Sequence, residues 1–226
     1  SSWSAVGGAW STGAAIDSTG ALYTWGGNLV GEMGDGTVIS KSSPTKIGNS
    51  SWSKLGSGGV SHLAAIDSTG ALYTWGNNPN GGLGDGTTVS KSSPVQVATY
   101  YTTINSWTAV SCGTSHMAAI SYQGDLYTWG NNTYGQLGDG TTVSKSSPVQ
   151  IGTKKYKNIS SNYASGAIDI TGALYTWGSN TVGQLGDGTV VFKSSPVQVA
   201  TTYNIISSWS AVNVGDSHTT AIDYNG

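Results

Sequence analysis

The chain has 226 residues, of which 37% are hydrophobic and only 9% charged, and its formal net charge is −2. Ordinary soluble domains carry roughly 25% charged residues, so this surface is built from Ser, Thr, Asn and Gly, and every basic residue is lysine. The absence of arginine disfavours nucleic-acid and phosphate recognition, a single cysteine excludes a disulfide framework or a zinc set, and no apolar run approaches the ~20 residues of a membrane-spanning helix.

Taken in chain order, the first elements are a strand opening at Trp3, a second ending in Ile16-Asp17, a Ser-Thr-Gly turn, and a third reading Leu-Tyr-Thr-Trp-Gly up to Gly26. Residues 51–100 repeat this most clearly. Ser51 to Leu55 reads as a first strand, His62 to Asp67 as a second, and Ala71 to Trp75 as a third, the last two joined by a turn whose Gly70 supplies φ > 0. A long polar loop from Asn77 to Ser93 follows, and Pro94 to Ala98 closes the unit as a fourth strand, with proline at its start where no ladder donor is needed. The third-strand tryptophans recur at Trp25, Trp75, Trp129 and Trp177. Trp3, Trp52, Trp107, Tyr156 and Trp209 recur in the first strand. A period of about 50 residues with four short strands is the signature of a propeller blade, which buries its faces only against its neighbours. Tyr73 and Trp75, two apart on one strand, share a face, so the recurring rings are packing residues.

The first half of the repeat occurs five times, at 3–17, 52–67, 107–121, 156–169 and 209–223; the second half occurs four times. The expected organisation is therefore a single all-β propeller domain over 1–226, with repeats at about 1–50, 51–104, 105–154, 155–206 and a partial 207–226. An unpaired half is expected to be matched by further blades of a longer chain, of which this is a fragment, or by a partner chain. The links between repeats alternate, short at 47–50 and long at 97–106 and 199–208.

Trp-Gly-Asn-Asn-Thr-Tyr-Gly-Gln-Leu-Gly-Asp-Gly at 129–140 and Val-Ser-Cys-Gly-Thr-Ser-His-Met-Ala-Ala-Ile at 110–120 resemble the regulator of chromosome condensation repeat, and the resemblance covers nearly the whole chain. It implies four-stranded antiparallel blades, here an arc of a seven-bladed ring. It also makes guanine-nucleotide exchange on a small GTPase an alternative function, although the inserted hairpin and basic segments associated with that role are missing from this sequence. Relatives that use the propeller face purely to bind protein are the nearer analogy.

No nucleophile–base pair, paired carboxylate site or phosphate loop is present, and Glu32 is the only glutamate. An enzyme, a cofactor and a metal are therefore not expected. His62, His116 and His218 share one repeat slot and are expected to make a structural hydrogen bond within each blade. Asp35, Asp85, Asp139 and Asp187 are expected to form turns, each pairing at the surface with the lysine six residues on. Gly81 to Asp85 resembles the start of a calcium-binding repeat, but its aspartate is one position early and the period is wrong. Cys112 is expected to be a buried, inert thiol.

Against an almost invariant loop, the pair at two positions is different in each copy: Leu29-Val30, Pro79-Asn80, Thr133-Tyr134 and Thr181-Val182, followed by a third variable position at Glu32, Gly82, Gln136 and Gln184. These pairs, with Tyr100, Tyr101 and Tyr203 of the long links, are the candidate ligand-binding loop tips. The expected function is a non-catalytic recognition or adhesion module for a protein or glycan, without nucleic acid and without membrane insertion, in an extracellular, cell-surface or virion setting such as a phage tail fibre. A purely structural repeat spacer is the other alternative.

Overall fold

The computed structural model describes residues 2–56, 58–97, 104, 106–199 and 208–224. Strands β1 (Trp3–Gly8), β2 (Thr12–Asp17), β3 (Leu22–Gly26) and β4 (Lys41–Lys46) pair in chain order as an antiparallel sheet. Strands β5 (Trp52–Gly56), β6 (His62–Asp67), β7 (Leu72–Gly76) and β8 (Lys91–Gln96) repeat it. Next, β9 (Trp107–Cys112), β10 (His116–Ser121) and β11 (Asp125–Gly130) lead into β12 (Lys145–Ser161), whose 17 residues serve as the last strand of the third blade and, without a break, the first strand of the fourth. The fourth continues through β13 (Ala164–Asp169), β14 (Leu174–Gly178) and β15 (Lys193–Gln198), and a hairpin of β16 (Trp209–Val214) and β17 (Thr219–Asp223) follows. First strands of neighbouring blades touch in series, from β1 to β5, β9, the end of β12 and β16, so they form the inner edge. The expected all-β class with four-stranded blades is what the chain adopts.

Local chemistry explains the turns. The Asp17 Oδ1 atom accepts from the Thr19 amide (2.9 Å), the Thr19 hydroxyl (2.6 Å) and the Ala21 amide (3.0 Å), and Gly20 takes φ 85° to close the hairpin. Asp67 and Asp169 repeat the arrangement. Where Ser121 stands in the third copy, its shorter hydroxyl accepts only from the Asp125 amide at 3.1 Å.

The fourth strand departs from expectation. It begins at Lys91 rather than Pro94, so the proline lies inside it. Pairing skips from Thr74↔Val95 to Gly76↔Lys91, and this irregularity on an outer-edge strand is where a residue without an N–H is tolerated.

Each core cluster straddles a blade boundary. Ile16 and Leu22 of the first blade pack with Trp52, Leu63 and Trp75 of the second, and Ile66 and Leu72 of the second pack with Trp107, Met117 and Trp129 of the third. Trp52 meets Tyr73 edge-on at 5.4 Å and Trp75 at 6.3 Å, with the same set at Trp107, Tyr127 and Trp129, so the Tyr–Trp pairs share a face as expected. Trp75, Trp129 and Trp177 are fully buried, and each donates its indole N–H to a main-chain carbonyl in the loop of the preceding blade: Glu32 (2.8 Å), Gly82 (2.9 Å) and Gln136 (2.9 Å). The rings lie on Gly34, Gly84 and Gly138, where a Cβ would come within 2.6–2.7 Å of the indole nitrogen, and all three glycines have positive φ. No other residue type meets both demands.

Trp129→Phe keeps most of the apolar surface but strands the Gly82 carbonyl in the interior. Its expected cost is about 1–3 kcal/mol, read as a lower urea midpoint. Trp25→Phe, at a half-buried position with no preceding loop among the described residues, is expected to cost less.

Candidate functional site

The loop between the third and fourth strands of each blade is held from the inside. The fully buried Asn28 donates from Nδ2 to the Ile39 carbonyl (3.2 Å), the Thr37 carbonyl (3.1 Å) and Asp35 (3.3 Å), and its Oδ1 accepts from the Met33 amide at 2.9 Å. Asn78, Asn132 and Asn180 repeat this pattern. Thr24 Oγ1 ties the loop to its own blade through the Met33 carbonyl, and Thr74, Thr128 and Thr176 do the same. Each loop then clamps the next blade: the Gly36, Gly86 and Gly140 amides donate to the Ser92, Ser146 and Ser194 carbonyls.

The aspartate–lysine pairs form at 2.6, 3.5, 3.9 and 3.3 Å, but the aspartate side chains are only 4–7% exposed, so these are not the surface contacts expected. The aspartates do form turns, since Asp35 Oδ1 accepts from both the amide and the hydroxyl of Thr37. Burial opposes the charge of Asp35, but hydrogen bonds from Lys41 and Thr37 outweigh it and bring the carboxyl down to about 2. The loop is thus rigid before any ligand arrives.

On this frame the first variable residue of every copy is exposed: Leu29 (82%), Pro79, Thr133 and Thr181. The second varies, with Val30 and Asn80 half-buried, Tyr134 38% exposed and Val182 65% exposed. The third position is not a surface site. Glu32, Gln136 and Gln184 are buried, and their side-chain oxygens accept from the amides of Val30, Tyr134 and Val182, pinning the tip. Gly82 provides no such side chain. Beside it lies a 270 Å³ pocket lined by Pro79 and Asn80, by Val60 and His62, by Thr114 and Ser115 of the third blade, and by Tyr163 of the fourth. Pro79 and Asn80 are therefore brought together with residues of two further repeats. Tyr134 instead packs edge-on at 5.1 Å against Phe192 of the next blade. Tyr100, Tyr101 and Tyr203 lie outside the described residues.

His116 bonds across a blade boundary, not within its own blade. His116 Nε2 lies 2.9 Å from Ser165 Oγ, and that hydroxyl donates at 3.0 Å to the Gln136 carbonyl that also receives Trp177, so His116 Nε2 carries the proton. In the third blade, Met117 occupies the position of Ser165; His62 lines the pocket, and its Nε2 is buried without a partner. Burial lowers His62 to about 4, a hydrogen bond to the His116 backbone opposing; burial and the neighbouring His62 lower His116 to about 3. Cys112 is fully buried and its thiol is raised to about 12 by burial, as expected of an inert side chain. Among the described residues no cluster of three metal-ligating side chains occurs.

Sequence reasoning missed Tyr163, Val60, Thr114, Ser115 and Phe192. Only Phe192 left a signal, because the other loops carry Ser40, Ser90 and Ser144 there.

The regulator of chromosome condensation (RCC1) repeat model matches residues 19–66, 69–120, 123–167 and 171–222. The ultraviolet-B receptor UVR8 of Arabidopsis thaliana is 34% identical over 145 residues, which is 63% of this chain and 32% of that protein. Human WBSCR16 superposes with TM-score 0.85 at 22% identity, over 98% of this chain and 57% of that one. Prp20p of Saccharomyces cerevisiae, characterised for its binding properties to Gsp1p and histones, superposes with TM-score 0.83 at 19% identity, over 98% and 56%. The chain thus spans about a third of that receptor and just over half of either structure.

Two outcomes follow from the site. Gly82→Gln is expected to restore the tip-pinning hydrogen bond and fill the pocket, raising stability by about 0.5–1 kcal/mol in urea denaturation; a lower midpoint would show that the side chain does not fit beside the Ser115 carbonyl. Both buried histidines have folded values below the ordinary 6.5, so the unfolded chain takes up protons first as pH falls. Melting temperature should therefore be level above about pH 6.5 and decline towards pH 4.5, and a His62→Gln/His116→Gln variant should show a flatter profile over that window.

Proposed function

The chain belongs to the regulator of chromosome condensation repeat family, and on that premise we propose that it is a non-catalytic recognition propeller that holds a protein partner on the loop-tip face. One observation carries this reading: each loop is locked internally by a buried asparagine and an aspartate nearly excluded from solvent, while the residue pair at its tip is different in every copy and its first member is exposed. A rigid frame with changed tips loses little conformational entropy on binding. The pocket beside Gly82 adds an anchor point lined by Tyr163 and His62. Relatives of this fold that bind proteins, such as Prp20p, support the class of partner.

Adhesion to a cell, a glycan as ligand, and an extracellular or virion setting belong to the same proposal, supported by the low charge and the absence of arginine. The tips decide between this reading and a repeat that serves only as a spacer. A variant carrying Pro79→Ser, Asn80→Ser and Thr133→Ser leaves the Tyr134–Phe192 contact in place and should melt at the wild-type temperature. It is expected to lose at least tenfold in retention of the partner that the wild-type chain retains from its source material, measured on immobilised protein. Equal retention by both would remove the tips as the binding surface, and stimulated nucleotide release from a GTPase would favour the exchange-factor alternative.

A further inference from the structure

The alternation of short and long links has a structural counterpart away from the loop tips. At the long link between the second and third blades, Ile104 is 9% exposed and buried in one cluster with Val97, Trp107 and Tyr127. The corresponding residues at the short link between the first and second blades are Ile47, Trp52 and Tyr73, and they line an open cleft of about 440 Å³ with Ser93 and Pro94 on its far wall. Between the third and fourth blades, Ile151, Tyr156 and Tyr175 line one of about 520 Å³, with Ser195 and Pro196 opposite and the Lys154 ammonium 5.1 Å from the Tyr175 ring. Both volumes lie in the range of ligand sites, roughly 300–1,000 Å³. Gly48 and Gly152, at the lip of each, have nothing within 4 Å of where a Cβ would stand.

We propose that these two clefts are docking sites for an extended, uncharged peptide segment of a partner protein, which inserts one β-branched aliphatic side chain where the chain's own Ile104 sits at the intervening junction. The chain thereby displays the occupant: an isoleucine carried by a Thr-rich link, held against an aliphatic residue and two aromatic rings. Trp52 lines the first cleft, so its indole reports occupancy there. By register, Ile47 stands where β3 begins, since its amide donates to the Leu22 carbonyl, whereas the variable tips follow the other end of that strand. The proposal is therefore independent of the loop-tip reading.

The test is a titration of the whole chain, ¹⁵N-labelled on its indoles, with a blocked peptide of sequence Ala-Thr-Tyr-Tyr-Thr-Thr-Ile-Asn-Ser, which is that of residues 98–106. The Trp52 indole resonance should shift to saturation, while that of Trp129, already bonded to Gly82, stays in place. Replacing the peptide isoleucine by aspartate should weaken binding at least tenfold. Ser50→Trp, at an exposed position on the cleft lip, should abolish the shift without lowering the melting temperature, and Pro79→Ser/Asn80→Ser should leave it unchanged. No shift at millimolar peptide, an equal shift with the aspartate peptide, or a shift produced by a neutral oligosaccharide and not by the peptide would each overturn the proposal.

Discussion

Everything in this molecule depends on how one open four-stranded sheet is attached to the next. A blade has two apolar faces and cannot bury both alone. The attachment centres on one recurring contact: an indole laid on a glycine, its N–H pointing into the carbonyl of the preceding blade's loop. It combines burial of about 200 Å² of ring with satisfaction of two polar groups that would otherwise be stranded in a dry interface. The glycine cannot be exchanged, because any Cβ would collide with the indole and the backbone is left-handed there. That contact places the loop, and the loop in turn places the tips.

The loops show how a polar surface is made rigid without disulfides or many charges. One asparagine replaces a hairpin ladder, donating and accepting across eleven residues of chain. One aspartate, nearly excluded from solvent, organises the following turn and holds its lysine. With Glu or Gln at the third variable position, the tip amide is also satisfied; with Gly82 it is not held this way, and a pocket opens among three repeats. The substitution of one residue in an otherwise copied loop thus separates a recognition feature from a structural one.

The histidines show why a repeat slot does not specify a role. His62 and His116 occupy equal positions, yet Ser165 gives the His116 Nε2 a partner and Met117 leaves the His62 Nε2 without one. The difference lies in the neighbouring blade, about fifty residues away, so a reading confined to one repeat assigns both the same bond inside the blade. The aspartate–lysine pairs look like surface ion pairs when spacing alone is considered, yet each aspartate side chain is nearly excluded from solvent while its lysine stays partly exposed.

The amino-acid sequence by itself determined the period, the first three strands of each blade and the turn between the second and third, the shared face of each Tyr–Trp pair and the variable positions, because each follows from contacts within a few residues: alternation along a strand, an aspartate bonding two residues ahead, a glycine at positive φ. Only the tertiary structure decided that the third variable position faces inward, that Phe192 backs Tyr134, that Tyr163 joins Pro79 and Asn80, and that the short links leave open the seat Ile104 fills elsewhere. Those facts are properties of the boundary between blades, where residues remote in sequence compete for the same volume, and no local pattern records which of them will occupy it.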